Sequence, residues 1–116
     1  MTNYHVIAEA EDVYVTFRSD KKQYKAEIVG VESAKDIAVL KLKEKPKILS
    51  PVKIGNSYNL KVGQKAMALG NPFGLDHTIT SGIVSAINRK IKGIKGVKIY
   101  GMIQADTSIN PGNSGG

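Results

Sequence analysis

The chain of 116 residues carries a formal net charge of +7, and 41% of its residues are hydrophobic while 23% are charged. This balance disfavours intrinsic disorder and predicts a folded polypeptide. The absence of cysteine excludes a disulfide framework, a thiolate zinc site and a cysteine nucleophile. No apolar run approaches the roughly 18 to 20 residues that a membrane-spanning helix needs.

Short alternating or apolar runs, separated by turn residues, predict an all-β chain. The first two runs flank a polar turn at residues 19–22 and form a predicted hairpin, and Asp36 lies at the entrance of the third run. Gly82, inside the fifth run, predicts a bulge or bend. The six predicted strands are residues 13–18, 23–31, 37–42, 65–70, 77–88 and 97–105.

The segment between the third and fourth strands predicts a domain connection. It is rich in Lys, Pro, Ser and Asn, and Pro46 and Pro51 oppose regular structure. We therefore expect one β domain in residues 1–50, a connection in residues 51–62 and a second β domain in residues 63–116.

Basic residues cluster in two places. Four lysines alternate along residues 41–47 and share one face of an extended segment, and a second group lies in the glycine-punctuated residues 89–98. Aromatic residues are not interleaved with these charges, as a site for single-stranded nucleic acid would require. We interpret both clusters as solvated surface and expect no nucleic-acid partner.

Three residue types in one order suggest a nucleophilic site. His5 lies in residues 2–6 (TNYHV), Asp36 in residues 35–40 (KDIAVL) and Ser114 in residues 112–116 (GNSGG). A serine nucleophile needs an imidazole that takes its proton and a carboxylate that holds the imidazole in one tautomer. The glycines around Ser114 would also let backbone N–H groups point at the oxygen of a tetrahedral intermediate.

Each of these residues has alternatives. Ser114 could lie in an ordinary glycine turn, or in a nucleophile elbow of the type Gly-x-Ser-x-Gly, which expects the chain order serine, acid, histidine. That order is not met if Asp36 and His5 are the partners of Ser114. We expect His5 at the end of an extended segment. His77 is interpreted as a loop or strand residue. Asp106 is a rival acid, but it lies only eight residues before the serine, whereas a triad acid must reach the far side of the imidazole.

Taken together, the motifs resemble those of the HtrA/Deg serine proteases, within the chymotrypsin-like class. The resemblance spans nearly the whole chain and also includes residues 62–64 (VGQ), 70–74 (GNPFG), 80–85 (TSGIVS) and 109–116 (INPGNSGG). It implies a double antiparallel β-barrel that is incomplete, because strands that family members carry before the histidine and after the serine are absent. The PDZ domain that usually follows is absent too. We therefore expect a chain truncated at both ends and poorly active by itself.

The resemblance also implies roles for the site residues. His5 would be the general base, Asp36 its orienting acid and Ser114 the nucleophile. The backbone N–H groups of Gly112 and Ser114 would form the oxyanion hole, and residues 89–101 would form a regulatory loop that senses bound ligand. No metal or other cofactor is implied. The substrate-pocket and activation loop would contain Ile109, Asn110 and Pro111.

The implied activity is that of an ATP-independent endopeptidase, which hydrolyses unfolded or damaged proteins through an acyl-enzyme. Its partners would be unfolded polypeptides, without nucleic acid or metal, and the full-length family member is expected to form a trimer. The implied location is the bacterial periplasm or cell envelope, or an organelle such as the chloroplast or mitochondrion. The alternative is a non-catalytic, trypsin-like barrel fragment that binds peptide or contributes to an assembly.

Overall fold

The computed structural model of the chain describes residues 1–71, 77–92, 96, 98–110 and 112–116. It divides into two compact units, Met1–Gly55 and Asn56–Gly116. Each unit holds one three-stranded antiparallel sheet, which confirms the all-β prediction, and neither sheet closes into a barrel in the described part of the chain. The division falls inside the predicted connection, residues 51–62; the bounds of the two domains stay a prediction.

The first unit follows the predicted strand pattern closely. Its strands lie side by side in the order β1-β2-β3, and a one-turn 3-10 helix, Ser33–Lys35, joins the last two. A one-turn helix, α1, precedes them at Tyr4–Ile7. The strands are β1, Val13–Thr16, β2, Gln23–Glu32, and β3, Ile37–Leu42. The buried apolar residues of this unit include Ile7, Tyr24, Ala26 and Ala38.

The pairing of β2 with β3 contains one irregularity. The register shifts between Ile28 and Gly30, so Val29 is an additional residue on β2. Such a bulge bends its strand and increases the local twist. The pairing then continues to Ile37, the first residue of β3, which directly follows Asp36.

The second unit also has three consecutive strands in the order β4-β5-β6. They are β4, Lys65–Gly70, β5, Thr78–Lys92, and β6, Lys98–Ala105. β5 extends past its predicted end at residue 88, because Ile91 and Lys92 pair with the start of β6. Much of the predicted regulatory loop is therefore strand; residues 93–95 and 97 lie outside the described residues.

Of the bulge or bend predicted at Gly82, the bulge is absent from the pairing of β4 with β5. The register of β4 with β5 is uninterrupted through Gly82, and the irregular pairings lie further along β5, between Val84 and Ile91. A Cβ atom at Gly82 would lie 2.8 Å from the backbone nitrogen of Thr107 and would also meet the carboxylate of Asp106. Glycine is therefore required because another segment crosses the strand at this point.

Helices are short throughout the described residues. The described residues contain one single-turn α-helix and two single-turn 3-10 helices, of which the second is Ser57–Asn59. None of them has the length and hydropathy of a bilayer-spanning segment.

Candidate functional site

His5 and Asp36 form a pair with two contacts. The ring Nδ1 of His5 lies 2.7 Å from Oδ2 of Asp36, and the backbone N–H of His5 donates to Oδ1 at 2.8 Å. The side chains remain 30% and 19% exposed, respectively. An ionised carboxylate only accepts hydrogen bonds, so this contact favours the tautomer in which Nδ1 donates and Nε2 is the acceptor nitrogen of the neutral ring. The geometry of the pair therefore suits a proton acceptor at Nε2.

The backbone on both sides explains how residues distant in sequence reach this geometry. Thr2 forms a bridge to Ala38 through two backbone hydrogen bonds of 2.9 Å, and the N–H of Tyr4 donates to the carbonyl of Asp36 at 3.1 Å. The side chain of Asn3 donates to the same carbonyl. His5 is the second residue of helix α1, and these contacts bring its ring within hydrogen-bond distance of the Asp36 carboxylate.

The local conformations of the pair differ from the sequence prediction in one respect. His5 was expected at the end of an extended segment, but it lies in helix α1, Tyr4–Ile7. Asp36 caps the 3-10 helix Ser33–Lys35 with φ 55° and ψ 44°, a left-handed conformation that aspartate tolerates better than most residues. A single helical turn is too short to leave a periodic signal in the sequence.

Ser114 is an exposed residue in a tight turn of the second unit. The N–H of Gly116 donates to the carbonyl of Asn113 at 3.0 Å, and Gly115, at the third position of this turn, has φ 89°. Gly112 has φ 98° on the other side of the serine. Only glycine adopts such angles without steric cost, so both residues are needed by the turns themselves.

The turn that carries Ser114 packs on the end of β4. A Cβ atom at Gly70 would lie 2.5 Å from Oδ1 of Asn113, and a Cβ at Gly116 would lie 2.9 Å from the Cα of Gly70. From the sequence, Gly70 was only the end of a predicted strand and the start of the motif at residues 70–74. In the structure it lies directly against Asn113 and Gly116.

Asp106, the rival acid, has a different partner. Its Oδ1 accepts a hydrogen bond of 2.6 Å from the backbone N–H of Ile83 on β5. Its own N–H donates to the carbonyl of Ile83 at 3.2 Å. The carboxylate of Asp106 thus accepts a hydrogen bond from the backbone of β5, while that of Asp36 contacts the imidazole of His5.

The remaining predicted site residues are placed as follows. Ile109 is 68% exposed, and the carbonyl of Asn110 accepts a hydrogen bond of 3.0 Å from the N–H of Asn113. Pro111 lies outside the described residues, as do residues 72–74 of the motif at 70–74. His77 is exposed and directly precedes β5. Among the residues that the structure describes, no three His, Asp or Glu side chains form a group that could hold a metal ion.

Comparisons with known proteins agree along the whole chain. The model of a family described as the trypsin-like peptidase domain matches residues 1–116. Protease Do-like 8, chloroplastic, of Arabidopsis thaliana is 48% identical over an alignment that covers 100% of this chain and 29% of that protein. A probable periplasmic serine endoprotease, DegP-like, of Pseudomonas fulva is 45% identical, with 100% of this chain and 23% of that protein covered. The chain thus spans less than a third of these relatives.

Solved structures show the same similarity in three dimensions. The HtrA-type protease AlgW, solved with a decapeptide, superposes with a TM-score of 0.82 at 41% identity, covering 98% of this chain and 34% of AlgW. Deg5 superposes with a TM-score of 0.80 at 38% identity, covering 98% of this chain and 59% of Deg5. Two independent kinds of comparison therefore point to one group of proteins.

Proposed function

Because this chain belongs to the trypsin-like peptidase domain family, and its relatives include the HtrA/Deg proteases that the motifs predicted, we propose that it carries the catalytic residues of a serine endopeptidase. The observation that supports this best is the pair of His5 and Asp36, joined at 2.7 Å. A carboxylate on Nδ1 leaves Nε2 to act as the base, which is what activation of a serine requires.

The proposed reaction begins with Ser114. Its hydroxyl attacks a peptide carbonyl while Nε2 of His5 takes the hydroxyl proton, and Asp36 stabilises the imidazolium that results. The N–H groups of Gly112 and Ser114 would donate to the oxygen that becomes negative. His5 then gives the proton to the leaving amine. Water hydrolyses the acyl-enzyme with His5 as base again, which regenerates the free serine.

The proposed substrates are unfolded or damaged polypeptides, cleaved without ATP. A relative solved with a decapeptide supports a peptide ligand. Ile109, Asn110 and Pro111 would form part of the substrate pocket, which we expect to take a small or medium aliphatic side chain. Casein hydrolysis should therefore persist after ATP is removed with apyrase and divalent metals with EDTA.

Location and assembly follow from the same relationship. The names of the relatives place two of them in chloroplasts and others in the bacterial periplasm, in agreement with the compartments that the resemblance implied. We propose a compartment of that kind for this protein. A trimer of the full-length protein stays a prediction, which sedimentation analysis would test.

A serine-directed phosphonate probe tests the proposal against a non-catalytic peptide-binding module. We expect the full-length protein that contains these residues to be labelled at Ser114, as mapped by peptide mass spectrometry. Ser114→Ala should abolish labelling, whereas Ser50→Ala, at an exposed serine directly before the predicted connection, should leave it unchanged. Absence of labelling in a folded protein would favour the binding module.

A further inference from the structure

We propose that Asp106 is a positioning residue for the segment that leads from it to Ser114. Its carboxylate lies against Gly82 and attaches the start of that segment to β5. This inference rests on the proposed function, since it concerns how the serine is held for reaction. It is supported by two hydrogen bonds between Asp106 and Ile83, by the lack of space for a side chain at Gly82, and by a hydrogen bond from Thr80 to Ser108.

The two hydrogen bonds join Asp106 to Ile83. The pairing of β5 with β6 ends with Val84 opposite Ala105, so Ile83 and Asp106 are the next pair in the register. In a regular antiparallel ladder, the two residues of a hydrogen-bonded pair exchange both backbone hydrogen bonds. Here the N–H of Asp106 still donates to the carbonyl of Ile83, but the N–H of Ile83 donates to the Asp106 carboxylate instead.

The carboxylate therefore takes the place of a backbone carbonyl. Oδ1 of Asp106 accepts a hydrogen bond of 2.6 Å from the N–H of Ile83. The main chain can therefore leave the sheet at Asp106 while the N–H of Ile83 keeps a hydrogen-bond partner. A hydrogen bond to a charged acceptor is also stronger than the backbone bond it replaces. The change of direction after β6 is thus defined by a side chain.

The steric requirement is met by Gly82. A Cβ atom there would collide with the Asp106 carboxylate and would lie 2.9 Å from Oγ1 of Thr107, which is only 6% exposed. One residue further, the hydroxyl of Thr80 donates to the carbonyl of Ser108 at 2.8 Å. Residues 106–108 are consequently held on β5 by contacts with three of its residues.

This attachment lies close in sequence to the serine. Only five residues lie between Ser108 and Ser114, and that span contains the Gly112 N–H proposed for the oxyanion hole. Catalytic groups have to be held within about 0.5 Å of their productive geometry. Loss of the Asp106 carboxylate should therefore affect the chemical step more than substrate binding.

The test compares Asp106→Ala and Asp106→Asn in the full-length protein. We expect the alanine variant to lower kcat about ten- to a hundredfold, with KM changed less than about threefold, as for a small misplacement of catalytic groups. The asparagine variant keeps an oxygen acceptor and should retain activity within about fivefold. Asp12→Ala, at an exposed aspartate paired with Lys25, is the matched control and should behave as the parent protein.

Two further readouts separate positioning from other roles. The acid limb of the pH-rate profile should be the same in the parent and both Asp106 variants, because a positioning residue does not titrate in the reaction. In selectively 15N-isoleucine-labelled protein with Ser114→Ala, the Ile83 amide proton should move upfield with Asp106→Ala and take an intermediate shift with Asp106→Asn.

The outcomes distinguish this inference from the proposed function. An Ile83 amide that does not respond to Asp106→Ala, or an active protein whose kcat does not fall with that change, overturns the inference. A shift of the acid limb overturns it as well, because Asp106 would then act in proton transfer. A parent protein without serine-dependent hydrolysis overturns the proposed function instead, and the attachment of Asp106 is then decided by the Ile83 amide alone.

Discussion

One carboxylate holds His5 at two points: Oδ1 of Asp36 accepts from the backbone N–H and Oδ2 contacts the ring Nδ1, at 2.8 and 2.7 Å. Rotation of the ring away from this orientation breaks the second contact, while the first ties the acid to the helix that carries the histidine. The imidazole is thereby fixed relative to its own backbone. This relationship underlies the first two predictions.

Substitution of the proposed triad residues should show whether Asp36 or Asp106 is the acid. We expect Ser114→Ala and His5→Ala to lower turnover of casein by about a million-fold, and Asp36→Ala somewhat less, as measured in a serine protease. Asp106→Ala should be much milder. If it is more damaging than Asp36→Ala, the assignment of the acid is wrong. Initial rates at saturating casein, on variants shown by circular dichroism to be folded, provide the comparison.

Hydrolysis should depend on pH through the histidine. An imidazole must be neutral to accept the serine proton, and imidazole side chains ordinarily become protonated as the pH falls through about 6 to 7. The rate should therefore fall as the solution is acidified and the imidazole is protonated. Measurements of kcat/KM between pH 4.5 and 8.5 test this, and a flat profile down to pH 4.5 would remove the histidine from the mechanism.

Gly70→Ala should displace the serine turn. The added methyl group would meet Oδ1 of Asn113 at 2.5 Å, which forces the side chain of this residue, the neighbour of Ser114, to shift. We expect phosphonate labelling and casein turnover to fall at least tenfold, by the same argument about small misplacements. Gly30→Ala is a matched control in the other unit, because nothing lies within 4 Å of its Cβ position. Equal activity of both variants would contradict the role of Gly70.

A fourth prediction concerns a hydrogen-bonded turn remote from catalysis. The Tyr24 hydroxyl donates to Asp20 at 2.6 Å and, together with the N–H of Lys22, lowers the pKa of that carboxyl below its ordinary value of 3.8. A lowered pKa means that the carboxylate stabilises the fold above its ordinary pKa, and that this contribution is lost as pH falls through the lowered value.

Tyr24→Phe should therefore raise the pKa of Asp20 toward its ordinary value, as measured by NMR titration of the carboxyl carbon. The variant should be less stable than the parent at neutral pH, and this difference should shrink in strong acid, where Asp20 is protonated in both proteins. Tyr14→Phe, at a half-exposed tyrosine on β1, is the control. An Asp20 pKa that is unchanged by Tyr24→Phe would show that the hydroxyl is not the cause.

Features that depend on neighbours in the sequence were predictable. Alternation of side chains along 13–18, 37–42 and 65–70 indicated strands because a pleated strand has a period of two residues, and each of these strands is present, the first ending at Thr16. Glycines at 112 and 115 indicated a tight turn because few other residues adopt a positive φ. The residue types of the proposed triad were recognisable in the same way, from motifs a few residues long.

Features that depend on contacts between distant residues required the tertiary structure. Asp36 reaches His5 across 31 positions of the sequence and Asp106 reaches Ile83 across 23, so no local pattern distinguishes the two acids by their partners. Gly82 indicated only a bulge or bend, because the segment that packs on it is more than twenty residues away in the sequence. The sequence by itself determined which chemical groups are available and which elements carry them. The tertiary structure decided that the Asp36 carboxylate binds an imidazole and that the Asp106 carboxylate binds a strand backbone. The reason is that hydrogen-bond partners are selected by the packing of segments that are remote along the chain.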